Sequence, residues 1–194
     1  MLIAFNKPYG VLSQFTPDHP GQATLSIFGF PPGVYPLGRL DAGSEGLLLL
    51  SDEAGLNSKL LDPKHGHQRT YWAQVENIPS PKDLVKLGQG LPIKGHLTLP
   101  CRARILDPQP DMEERVPPIR FRQSIPTCWL EISLNEGKNR QVRRMTAAIG
   151  HPTLRLIRVQ IGGFYLTGLG IGHWRILSPK ERKQIFTNNE GGAK

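Results

Sequence analysis

Two cysteines in 194 residues leave little room for cysteine chemistry. Cys101 and Cys128 have no close partner in sequence, so neither a disulfide framework nor a zinc knuckle is expected, and both are read as reduced. Long apolar runs are also missing. The longest, residues 1–5 and 47–50, are far too short to span a bilayer, and the first residues lack the charged and cleavable pattern of a secretory leader. A cytoplasmic protein with no membrane partner is therefore expected. Acidic charge is the scarcer sign: 16 Asp and Glu face 24 Lys and Arg, a formal charge of +8. Such a field draws polyanions and makes nucleic acid the leading partner class. A hydrophobic fraction of 38% and a charged fraction of 21% describe a chain that folds.

The organisation reads as one catalytic domain over residues 1–194, built from two lobes. Residues 1–6 form a strand that ends in the Lys7-Pro8-Tyr9-Gly10 turn. Residues 17–36, rich in Pro and Gly, hold no long helix and deliver the chain to Asp41, in a loop just before the buried strand 47–50. Ser51-Asp52 is read as the cap of a helix reaching Leu61. A strand over 70–75 follows, then a helix that starts at Ser80-Pro81 and stops near Gly88. A β region is expected over 91–107, an exposed or mobile loop over 108–126, and a strand over 127–134. A helix over 140–149 closes on Gly150; strands at 154–161 and 174–177 precede a helix opened by Ser178-Pro179 and a frayed tail at 188–194. Irregular alternation of strands and helices favours a mixed α+β fold.

The segment Gly38-Arg39-Leu40-Asp41-Ala42-Gly43-Ser44-Glu45-Gly46 carries the strongest chemical signal. Its glycines let backbone approach a ligand closely, and Arg39 and Asp41 stand two residues apart beside a buried strand. An acidic group so placed can serve as nucleophile or base, although a lone Asp in a turn is more often a capping residue. His65 and His67 form an HxH pair without a third ligand at a telling spacing, and are read as loop histidines or RNA contacts. Gly168-Leu169-Gly170-Ile171-Gly172 imitates a nucleotide loop, but His173 stands where a final glycine is needed; a tight strand connection is expected.

The string from Gly38 to Asp52 resembles the signature of the pseudouridine synthases of the small-subunit and large-subunit ribosomal RNA group. Further stretches resemble that group in the same order: Phe5-Asn6-Lys7-Pro8-Tyr9-Gly10-Val11, Arg69-Thr70-Tyr71, residues 136–145, and residues 156–162. The resemblance implies a largely antiparallel sheet in two lobes with helices packed on it and an active-site cleft between the lobes. It makes Asp41 the nucleophile, Tyr71 the aromatic that stacks on the target base and Arg143 the cation paired with the aspartate. Leu156 would line the pocket, and Arg39 would help hold the extruded nucleotide. Arg69 stands where the group usually has Lys, which keeps the charge but not the compact ammonium. The small N-terminal RNA-binding module of many members is not expected here.

The implied reaction breaks the bond from uracil N1 to ribose C1′, turns the base and rejoins it through C5. An isomerisation needs no redox cofactor, metal or energy source, so none is expected, and the chain has no Gly-x4-Gly-Lys-Ser/Thr phosphate loop. Lys138, Arg140 and Arg144 are read as facing RNA phosphates from the helix that aims Arg143 inward, with Lys7, Arg39, Arg69 and Arg158 extending the basic surface. The expected substrate is large-subunit ribosomal RNA and the expected state a monomer. Two alternatives stand beside this reading: the same reaction on small-subunit ribosomal or transfer RNA, and a catalytically silent RNA-binding or ribosome-assembly protein.

Overall fold

The computed structural model describes residues 1–62, 66–120, 122 and 124–187; the expected tail at 188–194 lies outside them. The chain forms two compact units, Met1–Arg69 with Arg158–Lys194, and Thr70–Ile157. Each contributes largely antiparallel strands with helices packed on them, the mixed α+β class expected. Among the described residues, no helix is long and apolar enough to cross a membrane.

In the first unit, β1 (Leu2–Lys7) lies between β11 (Trp174–Ile176) and β3 (Glu45–Ser51), antiparallel to both. The short β2 (Tyr35–Leu37) also pairs with β3. Ala4 stands opposite Leu49, and Phe5 opposite Leu48. All of β3 is buried, which is why residues 47–50 at its centre are a continuous apolar run rather than an alternation. One face packs Leu2, Ala4, Leu47 and Leu49 against Leu56 and Leu60 of α1 (Leu56–Leu61) and Ile185 of α4 (Pro179–Phe186). On Phe5 sits an aromatic group supplied mainly by the Pro- and Gly-rich stretch: Phe28 at 4.7 Å and Phe30 at 5.1 Å, with Trp174 5.7 Å from Phe30. Full burial of a side chain of this kind, as at Phe5, contributes about 2 kcal/mol.

α1 begins later than Ser51-Asp52 suggests, with Gly55 as its N-terminal boundary. Ser51 is the last residue of β3; its hydroxyl donates to Met1 O at 2.6 Å and accepts the Glu53 amide, so its capping capacity is spent on the strand end. The glycine-rich 168–172 segment is the connection expected: Gly172 N donates to Asn6 O, and Asn6 N to His173 O, tying it to β1. His67 is buried, its ring edge-on to Phe186 at 5.6 Å, which removes it from RNA contact; His65 lies outside the described residues.

The second unit holds β4 (Arg69–Glu76) from Thr70 onward, β8 (Thr127–Leu134) and β7 (Arg102–Ile105), in that order, with Ala103 opposite Ile132. α2 (Pro81–Gln89) starts at a complete capping box between Ser80 and Asp83, as the Ser-Pro pair predicts. α2 and α3 (Gln141–Ala148) contribute Leu87, Val142 and Met145 to a core with Ala73, Val75, Leu130 and Ile132. A small antiparallel hairpin, β5 (Pro92–Ile93) and β6 (His96–Leu97), follows α2. β9 (Thr153–Ile161) supplies residues 153–157 here and 158–161 to the first unit, where it pairs with β10 (Phe164–Tyr165).

The expected loop at 108–126 is irregular and mostly exposed in its described residues, and two of them are anchored to the second unit. Gln109 Oε1 accepts from Trp129 N at 2.6 Å, and the buried Arg155 donates to Glu113 O at 2.6 Å. Both anchors are contacts distant in sequence, which proline content and mixed charge do not reveal.

Candidate active site

Asp41 stands half-buried in the loop between β2 and β3, and that loop is held by the segment that follows β1. Ser13, fully enclosed, clips both backbone groups of Leu40: its Oγ donates to Leu40 O at 2.8 Å and accepts from Leu40 N at 3.0 Å. Gly10 N donates to Ala42 O at 2.8 Å, and Ser44 N closes a turn on Asp41 O at 2.9 Å. The backbone on both sides of Asp41 is thus fixed by hydrogen bonds before any substrate arrives.

Beneath the loop lies Lys7, at 0% exposure. Its ammonium donates to Val11 O at 2.7 Å, Pro8 O at 3.0 Å and Ala42 O at 3.5 Å. Burial pushes the Lys7 ammonium down to about 8; the carboxylates of Glu45 and Asp41 oppose that fall, and Arg158 adds to it. Glu45 is itself buried at the start of β3. The Glu45 carboxylate thus offsets part of the cost of burying the Lys7 ammonium.

Several cations expected on the RNA-facing surface are elsewhere. Lys7 cannot reach a phosphate, because its ammonium is enclosed by three carbonyls. Arg69 is buried and donates to Leu60 O at 3.2 Å, and Arg158 is buried with its Nε on Leu47 O at 2.7 Å. All three are structural cations that satisfy backbone oxygens in an apolar setting. Arg39 remains exposed, with Nη2 3.1 Å from Gln14 Oε1.

The other residues of interest lie in the second unit. Tyr71, on β4, is half-buried against the same apolar core to which the buried Leu156 belongs. Arg143 is half-buried on α3, with Nη1 donating to Thr153 O at 3.2 Å. Arg140 is not a helical residue: it precedes α3 in the left-handed region, φ 52°, and its carbonyl accepts from Arg144 N at 3.1 Å. Lys138 and Arg140 are exposed, whereas the Arg144 guanidinium rests on Asn139 Oδ1 at 2.6 Å.

Sequence reasoning passed over Ser13, Glu45 and the pair Glu136–Gln141, whose side chains bond at 2.5 Å. Glu45 and Glu136 lie inside the stretches that resemble a family, so position marked them; Ser13 bears no signal beyond its proximity to such a stretch.

Residues 1–148 match the RNA pseudouridylate synthase family. The chain is 51% identical over 170 residues to ribosomal large subunit pseudouridine synthase E of Xanthomonas axonopodis pv. citri (strain 306), covering 87% of this chain and 90% of that protein. It is 34% identical over 180 residues to ribosomal large subunit pseudouridine synthase B of Bacillus subtilis (strain 168), covering 92% of this chain and 68% of that one. A solved structure titled as a pseudouridylate synthase superposes with a TM-score of 0.78 at 24% identity, over 95% of this chain and 73% of the other, and shares the fold. The chain belongs to the RNA pseudouridylate synthase family and is an enzyme of that reaction class.

Proposed function

We propose that this enzyme isomerises a specific uridine of large-subunit ribosomal RNA to pseudouridine, in the cytoplasm and as a monomer, with Asp41 as the catalytic carboxylate. The observation that carries the reading is the Asp41 loop, whose backbone is fixed by Ser13, Gly10 and Lys7 while the carboxylate stays half-exposed. A base stacked in RNA cannot turn, so the nucleotide must leave its helix first. Tyr71 then stacks on the uracil, Leu156 lines the pocket, Arg143 pairs with the carboxylate and aims it, and Arg39 holds the extruded nucleotide.

Three routes use the same Asp41 oxygen: attack on C1′, addition to the uracil ring, or removal of the 2′-proton. Each ends with the N1–C1′ bond broken, a C5–C1′ bond formed and the C5 proton returned to nitrogen, so atoms balance without a co-reactant. The large-subunit substrate is supported by the names of the relatives at about half identity. Mapping pseudouridines in cellular RNA with and without this protein tests the assignment. A site lost from large-subunit RNA is expected; a loss confined to transfer or small-subunit RNA overturns the substrate.

A further inference from the structure

From Leu97 to Leu99 the second unit inverts the usual alternation of a half-buried strand. Thr98 is 2% exposed, while Leu97 is 68% and Leu99 52% exposed. Polar residues ordinarily take the wet face and leucines the dry one, and a one-residue slip would exchange them. The register is nevertheless held firmly. Thr98 Oγ1 accepts from Leu91 N at 2.9 Å, Thr98 N donates to Leu91 O at 3.0 Å, and a side chain at Gly90 would come within 2.4 Å of Thr98 O. Across the hairpin, Pro92 pairs with Leu97 and is exposed with it, whereas Ile93, opposite His96, is buried.

This apolar strip is tethered to the basic start of α3. Leu99 N donates to Glu136 Oε1 at 2.7 Å, and the same oxygen accepts from Gln141 Nε2 at 2.5 Å. The Lys138 ammonium lies 3.6 Å from Glu136 Oε2, and Lys138 N donates to Gln141 Oε1 at 2.9 Å. Exposed Lys94 stands at the hairpin turn, and exposed Lys138 and Arg140 beyond the tether. Leucines held into solvent on a rigid support and flanked by cations suit a polyanion with flat apolar faces.

We propose that the hairpin strip of Pro92, Leu97 and Leu99 is an RNA wedge: the leucines pack against a base face in structured RNA while Lys94 and Lys138 meet the adjoining phosphates. This rests on the enzyme acting on RNA as proposed above, and adds a contact that selects folded RNA over an unstructured strand.

The test compares the wild-type chain with Leu97→Ala/Leu99→Ala and Leu97→Ser/Leu99→Ser. Binding is measured without turnover on a folded large-subunit ribosomal RNA transcript and on an unstructured uridine-containing oligonucleotide, alongside thermal melts and sedimentation. The expected result is a loss of about tenfold or more in affinity for the transcript, with oligonucleotide binding within about twofold and melting unchanged. Equal affinity of variants and wild type for the transcript overturns the wedge. So does self-association of the wild type that the variants lose, which makes the strip a contact between copies. A chain that discriminates as expected yet makes no pseudouridine in that transcript keeps the wedge and sinks the proposed large-subunit substrate.

Discussion

The ammonium of Lys7 lies 3.5 Å from the carbonyl oxygen of Ala42, the residue that follows Asp41. A buried cation at the end of β1 thereby joins the first strand to the loop that presents the carboxylate. Lys7→Met leaves the carbonyls of Val11 and Pro8 without this donor and takes away a cation whose field the buried Glu45 feels. A loss of about 3 kcal/mol or more is expected, read from urea unfolding. The pH dependence follows from the depressed ammonium. Below about 8 Lys7 is charged in both states and folding bears the full burial cost; from about 8 to its ordinary 10.5 the folded state releases the proton first. Stability of the wild type relative to Lys7→Met therefore rises with pH across that window, which melts at about pH 7, 8.5 and 9.5 measure.

Ser13→Ala removes two bonds that hold the residue before Asp41 and strands an enclosed amide and carbonyl. It is expected to cost about 1–3 kcal/mol and to lower kcat more than KM, because the carboxylate is mis-aimed while the RNA surface is intact. Ser13→Thr, which keeps the hydroxyl, is expected to restore part of kcat. Equal losses in kcat for both variants would show that the hydroxyl plays no positioning part.

Two carboxylates near α4 are paired with arginines and contribute stability that is lost at low pH. Arg182 grips Glu53, and Arg175 grips Glu181, and each pairing draws its carboxyl down to about 2 from an ordinary 4.5. Their stabilisation is fully present above about 4.5 and is lost as pH falls toward 2. Both pairs are partly exposed, so salt weakens the effect. Arg182→Ala with Arg175→Ala is expected to flatten the acid limb of Tm against pH, most visibly at low ionic strength.

Lys138 and Arg140 are exposed and suit phosphate contact. Replacing both by Ala is expected to weaken binding to any RNA sequence and to lower the slope of log affinity against log salt by about one unit for each phosphate no longer neutralised. An unchanged slope, measured by titration between low and moderate salt, would place the RNA elsewhere.

Local chemistry was legible in the sequence. The helix starts at Ser80-Pro81 and Ser178-Pro179 appear where expected, because each capping box closes within four residues. Ser51 misled because its hydroxyl serves Met1 O, a partner 50 positions away. Positive charge was legible, but which cations stay in solvent was not: Lys7, Arg69 and Arg158 are buried and each donates to a backbone carbonyl, a placement that follows from the packing of neighbouring strands. Arg140 read as helical because a left-handed backbone at an arginine leaves no mark in composition. At the candidate site, Asp41 was visible through its motif, while Ser13, which fixes the backbone beside it, acts through a fold that periodicity does not encode.

The most direct measurement follows pseudouridine formation in a large-subunit ribosomal RNA transcript by the wild type, Asp41→Asn and Asp41→Ala, with RNA affinity and melting read in parallel. With the Asp41 carboxylate as the reacting group, both variants fold and bind RNA but form no pseudouridine. Product formation by either variant at the wild-type rate would contradict it.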